Sequence, residues 1–151
     1  MHAVSRTLRS VVSVLAVAGL FAMLAGPQAV SPVGATTNPC EAVPSGPPDP
    51  IEDPEPTVGG VLVNATTQAR ISGATVHLYQ CDEAGNASLF DTETSMANGF
   101  YSFADLERAY YYVEVAMTGP LAGMEPAAGT QNPSHLVAVG LGDPNVDFDF
   151  E

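Results

Sequence analysis

The dipeptide Asn98-Gly99 limits what this chain can fold into more than any other pair of residues in it. A two-residue turn whose twist suits its flanking strands needs positive φ at both central positions, and Asn-Gly meets that need well. One strand is therefore expected to end near Met96 and another to begin at Phe100. There Phe100-Tyr101-Ser102-Phe103 supplies aromatic side chains that fit a pleated, half-buried surface. A polar corner over 105–108 leads to Tyr110-Tyr111-Tyr112-Val113-Glu114-Val115, again rich in β formers. The stretch reads as the centre of a β-meander, and no reaction chemistry is visible in it.

Short β-forming runs separated by turn residues continue on both sides, the pattern of an all-β sandwich. The first run is Val58-Gly59-Gly60-Val61-Leu62-Val63, and residues 64–72 connect it to the next. Over 73–81, strict alternation puts Ala74, Val76 and Leu78 on one face and Thr75, His77 and Tyr79 on the other. A turn at 82–86 precedes a third strand over 87–95 with Leu89 as its main apolar residue, and strands at 100–103 and 110–117 follow. Residues 118–133, with Gly119-Pro120, Gly123, Pro126, Gly129 and Pro133, are the least patterned, and a loop of that length is often functional or mobile. A strand resumes at 134–139, a turn occupies 140–145, and the closing strand sends Val146, Phe148 and Phe150 one way and Asp147, Asp149 and Glu151 the other.

Several of these pieces, in this order, resemble repeat-type bacterial surface modules: Gly73-Ala-Thr-Val-His-Leu-Tyr79, Asn98-Gly-Phe-Tyr-Ser-Phe103, Leu106, Tyr110-Tyr-Tyr-Val113 and Val146-Asp-Phe-Asp-Phe150. The modules are the B-type domain of serine-aspartate repeat proteins (SdrD B-like) and the related carboxypeptidase regulatory-like and collagen-adhesin B-type domains. The resemblance covers about 57–151. It implies a seven-strand, prealbumin-like (Ig-like) β-sandwich that spaces, displays or binds, usually without catalysis. Fold by itself licenses no function. Collagen-adhesin modules often carry a Lys-Asn crosslink, which a chain without lysine cannot make.

Ahead of the module, basic Arg6 and Arg9, an apolar run over 11–24 and small residues ending Val33-Gly34-Ala35 form an export signal. The cut is placed after Ala35, and one after Ala29 fits nearly as well. The apolar part is short for a membrane span, and Cys40, preceded by Thr37-Asn38-Pro39, lacks the context of a lipid anchor. Residues 36–56 hold seven prolines interleaved with Asp49, Glu52, Asp53 and Glu55, a semi-rigid acidic spacer with no regular structure expected apart from anchorage through Cys40. The domain reading is signal 1–35, linker 36–56 and sandwich 57–151. Removing the signal leaves Arg70 and Arg108 against seventeen carboxylates, so nucleic acid and anionic membrane surfaces are poor partners. Cys40 and Cys81, the two cysteines of an exported chain, read as one disulfide worth ~3–4 kcal/mol by loop entropy. Free thiols or an intermolecular bridge are the alternatives.

Tests for chemistry give little. His77 and His135 are the histidines left after the signal, neither sits in a Gly-x-Ser-x-Gly context, and no His cluster suits zinc. The terminus lacks the Tyr-Arg-Gly-Ser ending of hydroxyisourate hydrolases, and no His-x-His site accompanies Tyr110 to Tyr112 as an intradiol dioxygenase would require. A weak calcium site could draw on Asp82, Glu83 and Asp91, or on Asp143 with Asp147. Asn64-Ala-Thr66 and Asn86-Ala-Ser88 fit the N-glycosylation pattern without establishing its use. The expectation is a secreted, monomeric, non-enzymatic module with no catalytic, cofactor or metal residues, contacting an extracellular protein or glycan. Its surface would be the 118–133 loop, the tyrosine-bearing meander or an exposed strand edge. The competing expectation is a carbohydrate- or protein-ligand pocket with Tyr79, Tyr101 and Tyr111 as stacking groups.

Overall fold

The computed structural model describes residues 38–48, 56–140 and 144–151, all within the unit Ala35–Glu151. The export signal with its cut at Ala35, the acidic run 49–55 and Asp143 lie outside the described residues. The strands are β1 (Val58–Asn64), β2 (Thr75–Cys81), β3 (Ala87–Thr94), β4 (Phe100–Phe103), β5 (Tyr110–Val115), β6 (Val137–Ala138) and β7 (Phe148–Phe150). They form a three-stranded sheet, β4-β1-β7, facing a four-stranded sheet, β3-β2-β5-β6. The fold is a seven-strand, Ig-like β-sandwich. All neighbouring strands are antiparallel except β1 and β7, which run parallel with Leu62 opposite Phe148.

Alternation fills the space between the sheets. Val58, Leu62, Tyr101, Phe103, Phe148 and Phe150 from one sheet meet Val76, Leu78, Tyr111, Val113 and Val115 from the other, all buried. Each such side chain contributes ~1.5–3 kcal/mol on leaving water. Gly60 lies where β1 passes Val146, and a Cβ added there would sit 1.9 Å from the Val146 carbonyl oxygen. The Val146 amide in turn donates to the Gly59 carbonyl at 2.7 Å.

The Asn98-Gly99 turn is a corner between the sheets and not a hairpin within one. Its flanking strands pair elsewhere, β3 with β2 and β4 with β1, so the expected meander is replaced by a crossing. Gly99 has φ +75°, whereas the non-glycine residues with positive φ among the described residues are Gln68 and Asp105, so Asn98 does not adopt the expected conformation. The Met96 amide still donates to the Phe100 carbonyl at 2.8 Å. Buried Ser95 fixes the departure point: its hydroxyl accepts from the Ala74 amide (3.0 Å) and donates to the Ile71 carbonyl (2.9 Å). Gly99 docks on β1, its carbonyl accepting from the Leu62 amide at 2.9 Å.

Other expectations change for identifiable reasons. The strand expected over 134–139 shortens to Val137–Ala138 because side chains replace the ladder: Ser134 Oγ accepts from the Val113 amide, and Asn132 bonds both backbone groups of Val115. The 118–133 loop is tied down. Leu121 is buried, the backbones of Glu125 and Glu151 exchange two hydrogen bonds of 2.9 Å, and the Ala127 amide donates to Asp149, which covers the β7 edge. Leu89 is 55% exposed and does not serve the core.

A second, smaller apolar cluster lies on the outer face of the four-stranded sheet. Cys40 and Cys81 form a disulfide across a sequence separation of 41, and both are buried with Tyr112 among Val43, Tyr79, Tyr110 and Leu136. The linker contributes a turn of 3-10 helix, Pro39–Ala42, capped by Asn38, whose side chain accepts from the Cys40 amide and donates to the Gly85 carbonyl. Pro48 is held too, its carbonyl accepting from Arg108 Nε. Residues 38–48 therefore pack as part of the module.

Candidate functional site

Each candidate residue within the described part of the chain has a definite place. His77 lies on the outer face of β2, hydrogen-bonded through Nδ1 to Thr92 Oγ1 (3.0 Å) and opposite Glu114. His135 lines a separate open cleft of about 690 Å³ with Thr130, Gln131, Asn145, Asp147 and Asp149. The two histidines are not brought together. Of the carboxylates considered for calcium, Asp82, Asp91 and Asp147 accept hydrogen bonds from protein groups. Asp82 accepts from the Ala84 and Asn86 amides and from Asn86 Nδ2, at 2.8–2.9 Å. These bonds, Asn86 foremost, hold its carboxyl below the usual range. Asp91 accepts from the Thr92 amide at 2.7 Å, and Asp147 from the Val61 amide and Asn145 Nδ2 at 2.8 Å. No three His, Cys, Asp or Glu side chains converge on a possible metal position among the described residues.

The tyrosines divide by face. Tyr101 is buried, its hydroxyl donating to the Val146 carbonyl, and burial, with the nearby Asp147 charge, drives its pKa far above the ordinary phenol value. Tyr111 is also buried and donates to the Glu107 carbonyl at 3.0 Å, with its pKa pushed up to about 12 by burial and by the Glu107 charge. Neither can serve as an outward stacking group, which corrects that expectation. Tyr79 does face outward. It stacks on Tyr112 with ring centroids 4.8 Å apart and planes 8° from parallel. Its pKa is raised by burial first, then by the charge of Glu114 and a hydrogen bond to that carboxylate. The two rings present one compact pair beside the disulfide rather than a flat open shelf.

The third strand falls where the sequence places it, as β3 (Ala87–Thr94), but its exposure was not anticipated. All eight of its residues are exposed, including Leu89 and, at 41%, Phe90. Leu89, the main apolar residue of the strand, does not turn into either core cluster. The run Asp91-Thr92-Glu93-Thr94, which offers neither face an apolar residue, was the available sign of an edge. Phe90 occupies a bulge opposite Leu78 and Tyr79 and sets its ring edge-on to Tyr111, centroids 5.4 Å apart.

No protein-family model matches the chain, and no curated protein matches it. Among solved structures, the pilus 2b backbone protein of group B streptococcus is 16% identical over 62% of this chain and 40% of that one, with a TM-score of 0.41. The SpaA pilin of Corynebacterium diphtheriae, in a complex with a signal peptide, is 15% identical over 64% of this chain and 96% of that one, TM-score 0.46. The full-length major pilin SpaD of the same organism is 13% identical over 64% of this chain and 30% of that one, TM-score 0.47. The chain thus spans less than half the length of the group B streptococcus protein and of SpaD.

Proposed function

We propose that the chain is an exported, non-catalytic β-sandwich module that works outside the cytoplasm by contact, in adhesion, binding or structural display. The observation that carries this reading is the buried Cys40–Cys81 disulfide, which fastens the linker to the sandwich and is of a kind that persists in oxidising compartments. The excess of carboxylates keeps such a module soluble and turns it away from nucleic acid and anionic lipid. Its partner is an extracellular protein or a glycan, and the module acts as a monomer once its signal is removed.

Expression of the full chain in an export-competent bacterium tests this directly. The expected product is found outside the cytoplasm, begins after Ala35 or Ala29, and resists thiol labelling until it is reduced. Retention in the cytoplasm with both thiols labelled would overturn the reading. A second reading, a pocket for a hydroxyl-rich ligand, is favoured by the polar 690 Å³ cleft with Gln131, Asn145 and Thr130 in its wall. Saturable glycan binding lost in Asn145→Ala and Gln131→Ala would select it.

A further inference from the structure

The hydrogen-bond pattern identifies which backbone groups of β3 face away from the sheet. On the far side, the amides of Val113 and Val115 go to Ser134 Oγ and Asn132 Oδ1, so in β5 it is Tyr112 and Glu114 whose backbone groups face β2. Such groups alternate along a strand. Their register partners Tyr79 and His77 therefore turn to β5, while Val76 and Leu78 turn to β3. In β3 this directs Glu93 and Asp91 inward to β2 and sends the backbone groups of Thr92 and Thr94 outward. Beyond the bulge Gln80 pairs with Ser88, so Leu89 and Ala87 also face out. The outward Thr92 amide is occupied by the Asp91 carboxylate at 2.7 Å, and no described residue adds a strand along this edge.

We infer that β3 is a docking edge for an extended, basic segment of another protein, which adds beside it as a further strand of the four-stranded sheet. The inference rests on the reading of the chain as an interaction module. Charge selects the occupant. A second copy would bring Asp91 and Glu93 against their own kind, and like charges across a strand pair repel. A neutral strand would have to take the Thr92 amide from the exposed Asp91 carboxylate and offer that carboxylate nothing in return but solvent. A strand carrying Lys or Arg opposite Asp91 and Glu93 supplies a carbonyl for the amide and a cation for the displaced acid. Leu89 and Phe90 add apolar area, and Leu89 heads a cross-strand row through Tyr79 to Tyr112. The acids and the bulge also guard an open edge against indiscriminate pairing, so one device gives both protection and selectivity.

The test uses the full disulfide-bonded protein and three capped ten-residue peptides. One alternates Lys and Thr with Val, one keeps the same charge but has Pro at alternate positions, and one replaces each Lys with Glu. The first should bind at least tenfold more tightly than the other two and slow hydrogen exchange at residues 87–94. Asp91→Lys with Glu93→Lys should weaken it at least tenfold. Thr92→Pro, which removes an outward amide and the side-chain bond to His77 but leaves the backbone ladder to β2 in place, should do likewise, whereas Thr92→Val, which removes only the side-chain bond, should bind as the parent does. Equal binding of the proline peptide would reduce the effect to general electrostatics and overturn the proposal. So would protection elsewhere on the molecule, self-association through β3, or no binding at all. None of these failures bears on the export and thiol tests of the display reading.

Discussion

The space between the sheets and the cluster on the outer face of the four-stranded sheet are both apolar, but they are held by different means. The inner one draws large side chains from both sheets and both ends of the module, including Phe103, Phe148 and Phe150. The outer one has three buried members, Cys40, Cys81 and Tyr112, and its lid is a short proline-rich segment with little surface to bury. A lid of that kind gains too little from burial to offset its ordering entropy, and a covalent tie supplies what packing does not. The lesson is that this disulfide secures a covering segment rather than a core.

That contrast can be broken in a graded way. Phe150→Ala, which empties part of the inner core, should cost ~3–5 kcal/mol in chemical denaturation; a change below about 1 kcal/mol would show that the inner cluster is not what holds the sheets. Cys40→Ser with Cys81→Ser should cost ~3–4 kcal/mol or less, while a single cooperative transition survives and residues 38–48 become open to proteolysis. Loss of all folded structure in that variant would mean that the two clusters are one. Alkali should act on the buried tyrosines, with Tyr111 of the inner cluster as the group to follow. Tyr111 has its pKa raised from 10.0 to about 12 in the folded protein, so stability is intact below pH 10 and falls as pH rises from there toward 12, where the unfolded chain ionises more readily than the folded one. Denaturant midpoints across that range, followed with phenolate absorbance, would show this as delayed ionisation, and a midpoint independent of pH there would contradict it. Leu89→Thr, on the open edge, should change stability by no more than about 0.5 kcal/mol.

Much of the sandwich was legible because its strands obey a period of two with one face committed. Ala74, Val76 and Leu78, and again Val146, Phe148 and Phe150, are buried as their alternation indicates. Partnership was not legible. Turn chemistry at Asn98-Gly99 specifies a reversal of the chain but does not say whether the next strand joins the same sheet, and here Ser95 and Gly99 direct it to the other one. The three consecutive tyrosines were ambiguous for a related reason. Tyr111 and Tyr112 point to opposite faces yet both are buried, since the segment around Cys40 covers the outer one. The open edge at β3 was hidden by Leu89, an apolar residue that serves no core contact.

The disulfide also decides how the molecule carries mechanical load. Tension applied ahead of Cys40 crosses the sulfur–sulfur bond straight into β2 at Cys81, and the intervening chain, β1 included, is bypassed. Cutting that bond reroutes the same tension through the parallel β1–β7 pair, whose rungs would then be strained together in shear instead of one after another. A single covalent link thus chooses which strands bear a pull.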